Sequence, residues 1–275
     1  MEPALQLKIQ HYGWNQAASY YDPLWEKQLK SSQDLLLLMA ELEEGERVLD
    51  VACGSGLATF PAARAVGFTG SIAATDISES MLEIARIRAE KYRLGNIKFQ
   101  QMNAENLTLP DESFDVSMCS LGLMYLPDPL QAVREMYRVL KPGGRALALV
   151  WGRRKHCGWA DIFPIVDQHV TTDVCPLFFQ QGTGHTLRST FEMCGFTETE
   201  EKRFSTIIHH DSAEDAANAM FIGGPVALAW KQFDEKTKKA AYEAYIDSLE
   251  EFKDGEGYDV PGEFVIVKGS KNTVN

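Results

Sequence analysis

"VLDVACGSGLATF", Val48 to Phe60, decides how the rest of the chain is read. An apolar run leads into a glycine-rich turn and then a helix-forming stretch, the pattern of a strand, a tight turn and a helix. Gly54 and Gly56 let the backbone turn sharply and let a ligand approach without meeting a Cβ. A helix expected from about Leu57 aims its free N–H groups and its positive end at whatever sits there. A phosphate loop needs Gly-Lys-Ser/Thr after the turn, and Leu57-Ala58-Thr59 has no lysine. A dinucleotide turn, G-x-G-x-x-G, finds Thr59 in its third glycine position, so that match is partial. Ala52 also stands where a glycine would be expected. It is tolerable if its φ is below zero and no ligand presses on its Cβ.

Outward from this stretch the chain alternates. "GSIAATDIS", "IKFQQM", "FDVSMCS" and "RALALVW" read as further strands. Between them, "SESMLEIARIRAEKYRLG" and "DPLQAVREMYRVL" read as helices with acids or a cap early and a glycine or "KPGG" at the end. Strands alternating with helices imply a parallel sheet covered on both faces. The ligand crevice of such a sheet lies beyond the strands' carboxyl ends. The residues of interest are therefore Asp50–Gly56, Asp76, Asn103–Glu105 and Ser120–Tyr125. Asp76 ends the second strand at the spacing of about 20 residues from the glycine turn that a ribose-binding acid keeps. A carboxylate there can accept both ribose hydroxyls and disfavours a 2′-phosphate, which leaves NAD or another adenosine compound.

Upstream, residues 11–44 read as two aromatic-rich helices, the second capped by Ser31 or Ser32. Beyond Trp151 the pattern loosens into a mixed segment, 152–183. A helix to Gly195, a long strand "TETEEKRFSTIIHH", two or three helices over 212–252 and a last strand "GEFVIVKGS" follow. If the last two strands pair antiparallel, the helices between them are an insertion. The closing "KNTVN" reads as disordered.

Composition bounds the function. Of 275 residues, 45% are hydrophobic and 24% charged, as in a globular protein with a full core. The net charge of -12, with "GRRK" (Gly152–Lys155) the densest basic run, argues against nucleic acid as partner. Five cysteines without metal-ligand spacing read as reduced thiols, and no metal is expected. The apolar run "LLLLMA" is too short to span a bilayer, and "MEPALQLKIQ" lacks a signal layout, so a cytoplasmic protein is expected.

Taken together the motifs resemble the class I S-adenosylmethionine-dependent methyltransferases. "VLDVACGSG" is similar to their first motif and "ATDIS" to their ribose-binding acid. "QMNAENLTLPDESFDVSMCSLGLMYLPDPLQAVREMYRVLKPGGRALAL" is similar to the later motifs of the small-molecule subgroup, which includes the C-methyltransferases of ubiquinone and menaquinone synthesis. "WNQAASYYD" is similar to that subgroup's A-x-x-Y-D opening. The resemblance covers about residues 12–151.

It implies a Rossmann-like doubly wound α/β sheet, mostly parallel with an antiparallel last strand. The expected organisation is a single methyltransferase domain over 1–275. Residues 1–44 would form a helical lid, 45–151 the cofactor-binding core, and 152–183 and 212–256 acceptor-site insertions. S-adenosylmethionine is the implied cofactor and a small, hydrophobic or aromatic molecule the implied acceptor. By resemblance Asp50, Ala52, Gly54 and Gly56 would cradle the methionine half and Asp76 the ribose. Ile77 and Met81 would wall the adenine, Asn103 and Ala104 would meet its edge, and Glu105 beside them would also belong to the cofactor site. Ser120 and Leu121 would lie near the sulfonium, and Tyr21 would close over it. The subgroup commonly carries Asp at position 103, and Asn keeps an acceptor oxygen without the charge.

A sulfonium methyl is already activated, so a general base is needed only for a protonated nucleophile. Tyr21, His156, His169 and His185 are the candidates. Where the quinone enzymes often carry histidines, Met124 and Tyr125 stand. With Trp14, Trp25, Trp151, Trp159, Phe163, Phe178 and Phe179 they suggest an aromatic acceptor pocket. The rival readings are an NAD-dependent oxidoreductase and a non-catalytic S-adenosylmethionine-binding protein of the same fold.

Overall fold

The structure, a computed structural model, describes residues 2–273. The chain opens with one helix, α1 (Pro3–Ala40), where the sequence suggested two. Pro23 sits inside it and removes one backbone donor. Tertiary packing offsets that cost: Trp25, Leu29 and Leu36 are buried, and Trp25 Nε1 donates to the carbonyls of Ala219 (3.2 Å) and Gly223 (3.0 Å). Ser32 caps nothing. Its hydroxyl is buried and donates back to Leu29 O at 2.7 Å.

The core alternates as expected: β1 (Arg47–Val51), α2 (Thr59–Ala65), β2 (Ser71–Asp76), α3 (Glu79–Lys91), β3 (Ile97–Gln101), β4 (Phe114–Ser120), α4 (Pro129–Val139) and β5 (Leu140–Trp151). Strand β5 begins directly after α4, so "KPGG" lies within it, with Gly143 at φ 80°. Caps read from the sequence are in place: Ser78 accepts from Met81 N, and Asp128 from Gln131 N. The second half adds α5 (Ile162–Asp167), α6 (Thr186–Met193), β6 (Thr197–His210), α7 (Ala213–Phe221), α8 (Ala227–Gln232), α9 (Glu235–Ser248), the short β7 (Lys253–Asp254) and β8 (Gly257–Ser270).

Among the described residues these strands form one sheet in the order β3-β2-β1-β4-β5-β8-β6, with β7 on β8. Strands β1 to β5 pair parallel, and β8 pairs antiparallel with both β5 and β6. The fold is therefore a Rossmann-like, mostly parallel α/β sheet whose last strand runs antiparallel. That strand is interior, and β6 forms the edge. The three helices α7 to α9 lie in sequence between β6 and β8. In the β5–β8 register Trp151 faces Phe264, and the two rings stack at 4.1 Å.

Lys271 and Asn272, in the stretch expected to be disordered, are tied down. Lys271 exchanges backbone hydrogen bonds with Gly143 and Gly144, and Asn272 accepts from Thr197 Oγ1 at 2.7 Å. Val274 and Asn275 lie outside the described residues. Among the described residues no helix is long and apolar enough to cross a membrane.

Candidate functional site

The carboxyl ends of β1, β2 and β4 open into a cleft whose free space is about 880 Å³ when open solvent is included. Asp50, Ala52 and Gly54 line it from the first turn, Asp76, Ile77 and Met81 from the second. Asn103 and Ala104 close one side, Ser120 and Leu121 another, and Tyr21 covers it from α1. Leu7, Gln10 and Met102 also line the cleft, and sequence reasoning missed them. Leu7 and Gln10 reach it only because α1 folds back over the sheet, a tertiary fact without a local signal.

Burial governs the two acids. Asp76 accepts the Gly54 and Ser78 backbone N–H groups, each at 2.8 Å, so it also braces the turn. Burial still raises its pKa against those bonds. Asp50 is fully buried beneath the turn. Its Oδ2 accepts the Thr59 hydroxyl at 2.6 Å, while Oδ1 is buried with no partner among the described residues. Burial pushes the Asp50 carboxyl up to about 7, Thr59 opposing the shift and the Asp76 charge adding to it. Thr59, the misfit in a dinucleotide turn, is thus the residue that holds Asp50.

The two glycines divide their work. Gly54 has φ 55° and open space where a Cβ would be, so it faces the cleft. Gly56 has φ 93°, and a Cβ there would lie 2.5 Å from the Phe60 ring. Gly56 therefore serves packing and does not line the cleft, a correction to the sequence reading. Glu105 is a second correction: its carboxylate turns away to accept from Asp128 N at 2.7 Å. Ala52 is a third. Its φ is 54°, in the left-handed region, where a Cβ costs about 1–2 kcal/mol. Leu121, across the cleft, shares that conformation at φ 60°. Strain of this kind collects at functional sites. Asn103 Oδ1 already accepts the Glu105 N–H at 3.0 Å, which leaves one lone pair free.

Helix α1 is latched over the turn. Asp22 accepts the Ser55 hydroxyl with one oxygen and pairs with Arg88 of α3 through the other. Farther along, Asn15 Oδ1 accepts from Ser78 Oγ at 2.7 Å.

A second, smaller and narrower pocket adjoins the first, its free space about 340 Å³ when open solvent is included. Trp14, Tyr21, Leu121 and Tyr125 line both, so the two meet at these side chains. Trp25, Met124, Trp151, Trp159 and Phe178 form the further wall. Phe163 and Phe179 pack behind Trp159, at centroid distances of 6.2 and 5.6 Å, and do not line the cavity. Burial raises the pKa of the Tyr21 hydroxyl, with Asp22 and Asp76 adding to it. Burial likewise raises Tyr125, with Cys175 and Tyr21 adding. Both phenols therefore stay protonated at neutral pH.

The three candidate histidines lie elsewhere. His156 Nδ1 pairs with the buried Glu263 at 2.6 Å, and His185, largely exposed, pairs with Glu201 at 3.0 Å. His169 packs edge-on against Phe233 in a separate surface groove. None of them lines either cavity. No local feature of the sequence separates these positions from cleft positions.

Known proteins with this pattern carry related names. The family model described as the ubiE/COQ5 methyltransferase family matches residues 24–179. A ubiquinone/menaquinone biosynthesis C-methyltransferase UbiE from Pseudoalteromonas translucida is 40% identical over 134 residues, 48% of this chain and 51% of that protein. A demethylmenaquinone methyltransferase from Geobacillus is 30% identical over 158 residues, 56% of this chain and 67% of that protein. The matched stretch thus spans about half to two thirds of these relatives. In three dimensions the YcgJ protein from Bacillus subtilis superposes with a TM-score of 0.62, covering 89% of this chain and 100% of that one, at 20% identity. That likeness concerns the fold alone. With the family's pattern running over more than half of its length, from α1 through the aromatic segment after β5, the chain belongs to the ubiE/COQ5 methyltransferase family.

Proposed function

We propose that this protein transfers a methyl group from S-adenosylmethionine to a small apolar or aromatic acceptor. One observation carries the reading. A cleft that holds an unpartnered buried carboxylate oxygen joins an aromatic cavity across a boundary formed by Trp14, Tyr21, Leu121 and Tyr125. This cleft, apolar-walled with two acids at its strand ends, suits the cofactor. Asp50 Oδ1 is an acceptor for its ammonium, directly or through water, and Asp76 an acceptor for its ribose hydroxyls. Ile77 and Met81 give apolar walls for the adenine. Ala104 N–H and the free lone pair of Asn103 are available to its edge.

When bound, the cofactor supplies an electrophilic methyl on a positive sulfur. The chain's own part is orientation and exclusion of water. Helix α1, latched by Asp22, and the segments 152–183 and 212–256 would enclose the acceptor. Tyr21 and Tyr125, held protonated, can donate hydrogen bonds at the boundary but cannot take a proton. The acceptor atom is therefore one that attacks without a base from these two side chains, such as an electron-rich ring carbon: its bond to the methyl forms as the methyl–sulfur bond breaks, and the ring hydrogen then leaves as a proton to water. The relatives named for ubiquinone and menaquinone steps make a quinol the first acceptor to try. The NAD reading loses support because Thr59 is spent on Asp50 and a pyrophosphate would have to lie against the Cβ of Ala52.

Calorimetry with S-adenosylhomocysteine and with NAD tests the cofactor. Binding of the first and not the second is expected, and the reverse overturns the proposal. Mass transfer from methyl-labelled cofactor to a quinol and phenol panel tests the activity. Binding without transfer to any of them favours the non-catalytic reading.

A further inference from the structure

Trp159 is 1% exposed, and its indole N–H is buried without a hydrogen-bond partner among the described residues. Its ring lines the aromatic cavity. The neighbouring Trp25 shows the ordinary arrangement, its N–H shared between two backbone carbonyls. Three rings pack against Trp159: Trp151 at 4.8 Å and 67°, Phe178 at 5.5 Å and 88°, and Phe179 at 5.6 Å. A buried donor left unpaired is costly, and a phenylalanine would fill much of the same space without that cost. The side chain is therefore suited to a partner that arrives with a ligand.

The indole N–H donates and cannot accept, so its partner must offer a lone pair: a carbonyl, ether, phenol or phenolate oxygen. A protonated amine finds no acceptor there. Trp159 lines the aromatic cavity and not the cofactor cleft, whereas Tyr21, Leu121 and Tyr125 line both. Trp159 thus belongs to the cavity's own wall and not to the boundary side chains that the cavity shares with the cleft. We infer that Trp159 is a specificity-determining residue, whose indole N–H receives an oxygen of the acceptor and turns the ring's reacting atom toward that boundary. The inference rests on the aromatic cavity being the acceptor compartment. It adds that this compartment reads an oxygen and does not bind by apolar contact alone.

Two probes with one bicyclic skeleton test it: 1-tetralone, which carries a ketone oxygen, and tetralin, which does not. Equilibrium dialysis against the S-adenosylhomocysteine-loaded protein should show 1-tetralone binding about tenfold tighter, the factor one net hydrogen bond of this kind carries. In Trp159→Phe the ratio should fall to about one, with S-adenosylhomocysteine affinity unchanged within about twofold. A ratio near one in the wild type, or a preserved ratio in the variant, overturns the inference and leaves the compartment standing. Binding of neither probe by a protein that still takes S-adenosylhomocysteine overturns the compartment itself, and the inference with it. Should the variant fail to fold, nitrogen-15 spectra of the wild type decide. The Trp159 indole resonance, one of five, should move downfield with 1-tetralone and not with tetralin. A resonance unmoved by 1-tetralone at saturation overturns the inference.

Discussion

Thr59 donates its hydroxyl to Asp50 at 2.6 Å and is the side-chain partner that the buried carboxylate has among the described residues. A residue that weakens the dinucleotide match is thereby the support of the acid beneath the turn. Thr59→Val keeps the shape and removes the donor. Asp50 then rises further above its present value of about 7 and is protonated at neutral pH. Affinity for S-adenosylhomocysteine at pH 7.5 should fall about tenfold and recover toward pH 9, read by calorimetry. Folding stability should fall by about 1–3 kcal/mol in urea titrations.

The pH dependence of the wild type follows from the same group. The folded pKa of Asp50, about 7, lies above its ordinary value of 3.8, so between these the folded chain holds a proton that the unfolded chain has lost. Stability without ligand should therefore decline as pH rises from about 4 to about 7, and then level off. Burial shifts Asp76 in the same direction. Ligand ammonium favours ionised Asp50, so affinity should run the other way, rising with pH up to about 7. Thermal unfolding with and without S-adenosylhomocysteine across pH 5–8 checks both slopes. Parallel slopes would remove Asp50 from the binding site.

Asp76→Ala deletes the acceptor proposed for the ribose and the brace of Gly54 and Ser78. A loss of about 1.5–3 kcal/mol in S-adenosylhomocysteine binding is expected. Asp76→Asn, which keeps one acceptor oxygen, should lose less. Equal losses would assign Asp76 to the loop alone.

Ala52 leaves no room for a side chain at Gly122. A Cβ added at Gly122 would lie 2.6 Å from the Ala52 Cβ and 2.7 Å from Cys119 Sγ. Ala52→Gly relieves the left-handed strain and should stabilise by about 0.5–1 kcal/mol net of the glycine's added freedom when unfolded. Gly122→Ala should destabilise by about 1–3 kcal/mol. In the double variant only the Cys119 contact remains, so the two effects should not add. Additivity in denaturant midpoints would show that the two sites do not touch.

Replacing His156, His169 or His185 by Gln should leave S-adenosylhomocysteine affinity within about twofold, since none lines the cleft. A tenfold loss in any of them, measured by calorimetry, would place that side chain at the cofactor.

The sheet and the acids at its strand ends were legible because their signals are local. Apolar runs, caps and the Gly54–Asp76 spacing all lie within single elements or neighbouring ones. The division between Gly54 and Gly56 was not, because it depends on where the Phe60 ring falls one turn later. Glu105 looked like a site residue by position, and only the approach of Asp128 N turns it outward. Ser31 and Ser32 argued for the start of a second helix, where burial of Trp25, Leu29 and Leu36 carries one helix through. Ala52 carries no mark of its positive φ, since an alanine reads as ordinary strand or helix. The covering role of Leu7 and Gln10 arises only when a helix from the chain's beginning crosses strands made later.

The interior place of β8 bears on the order in which the molecule can be built. During synthesis β1 to β5 can pair as they emerge, since each finds its neighbour among strands already made. Strand β6 cannot: its sheet partner among the described strands is β8, which leaves the ribosome after α7, α8 and α9. Until then β5 is a bare edge with unpaired backbone groups, open to pairing with another nascent chain. The same late strand brings Phe264 against Trp151. The aromatic wall is therefore among the last parts to be set, after the turn that holds Asp50.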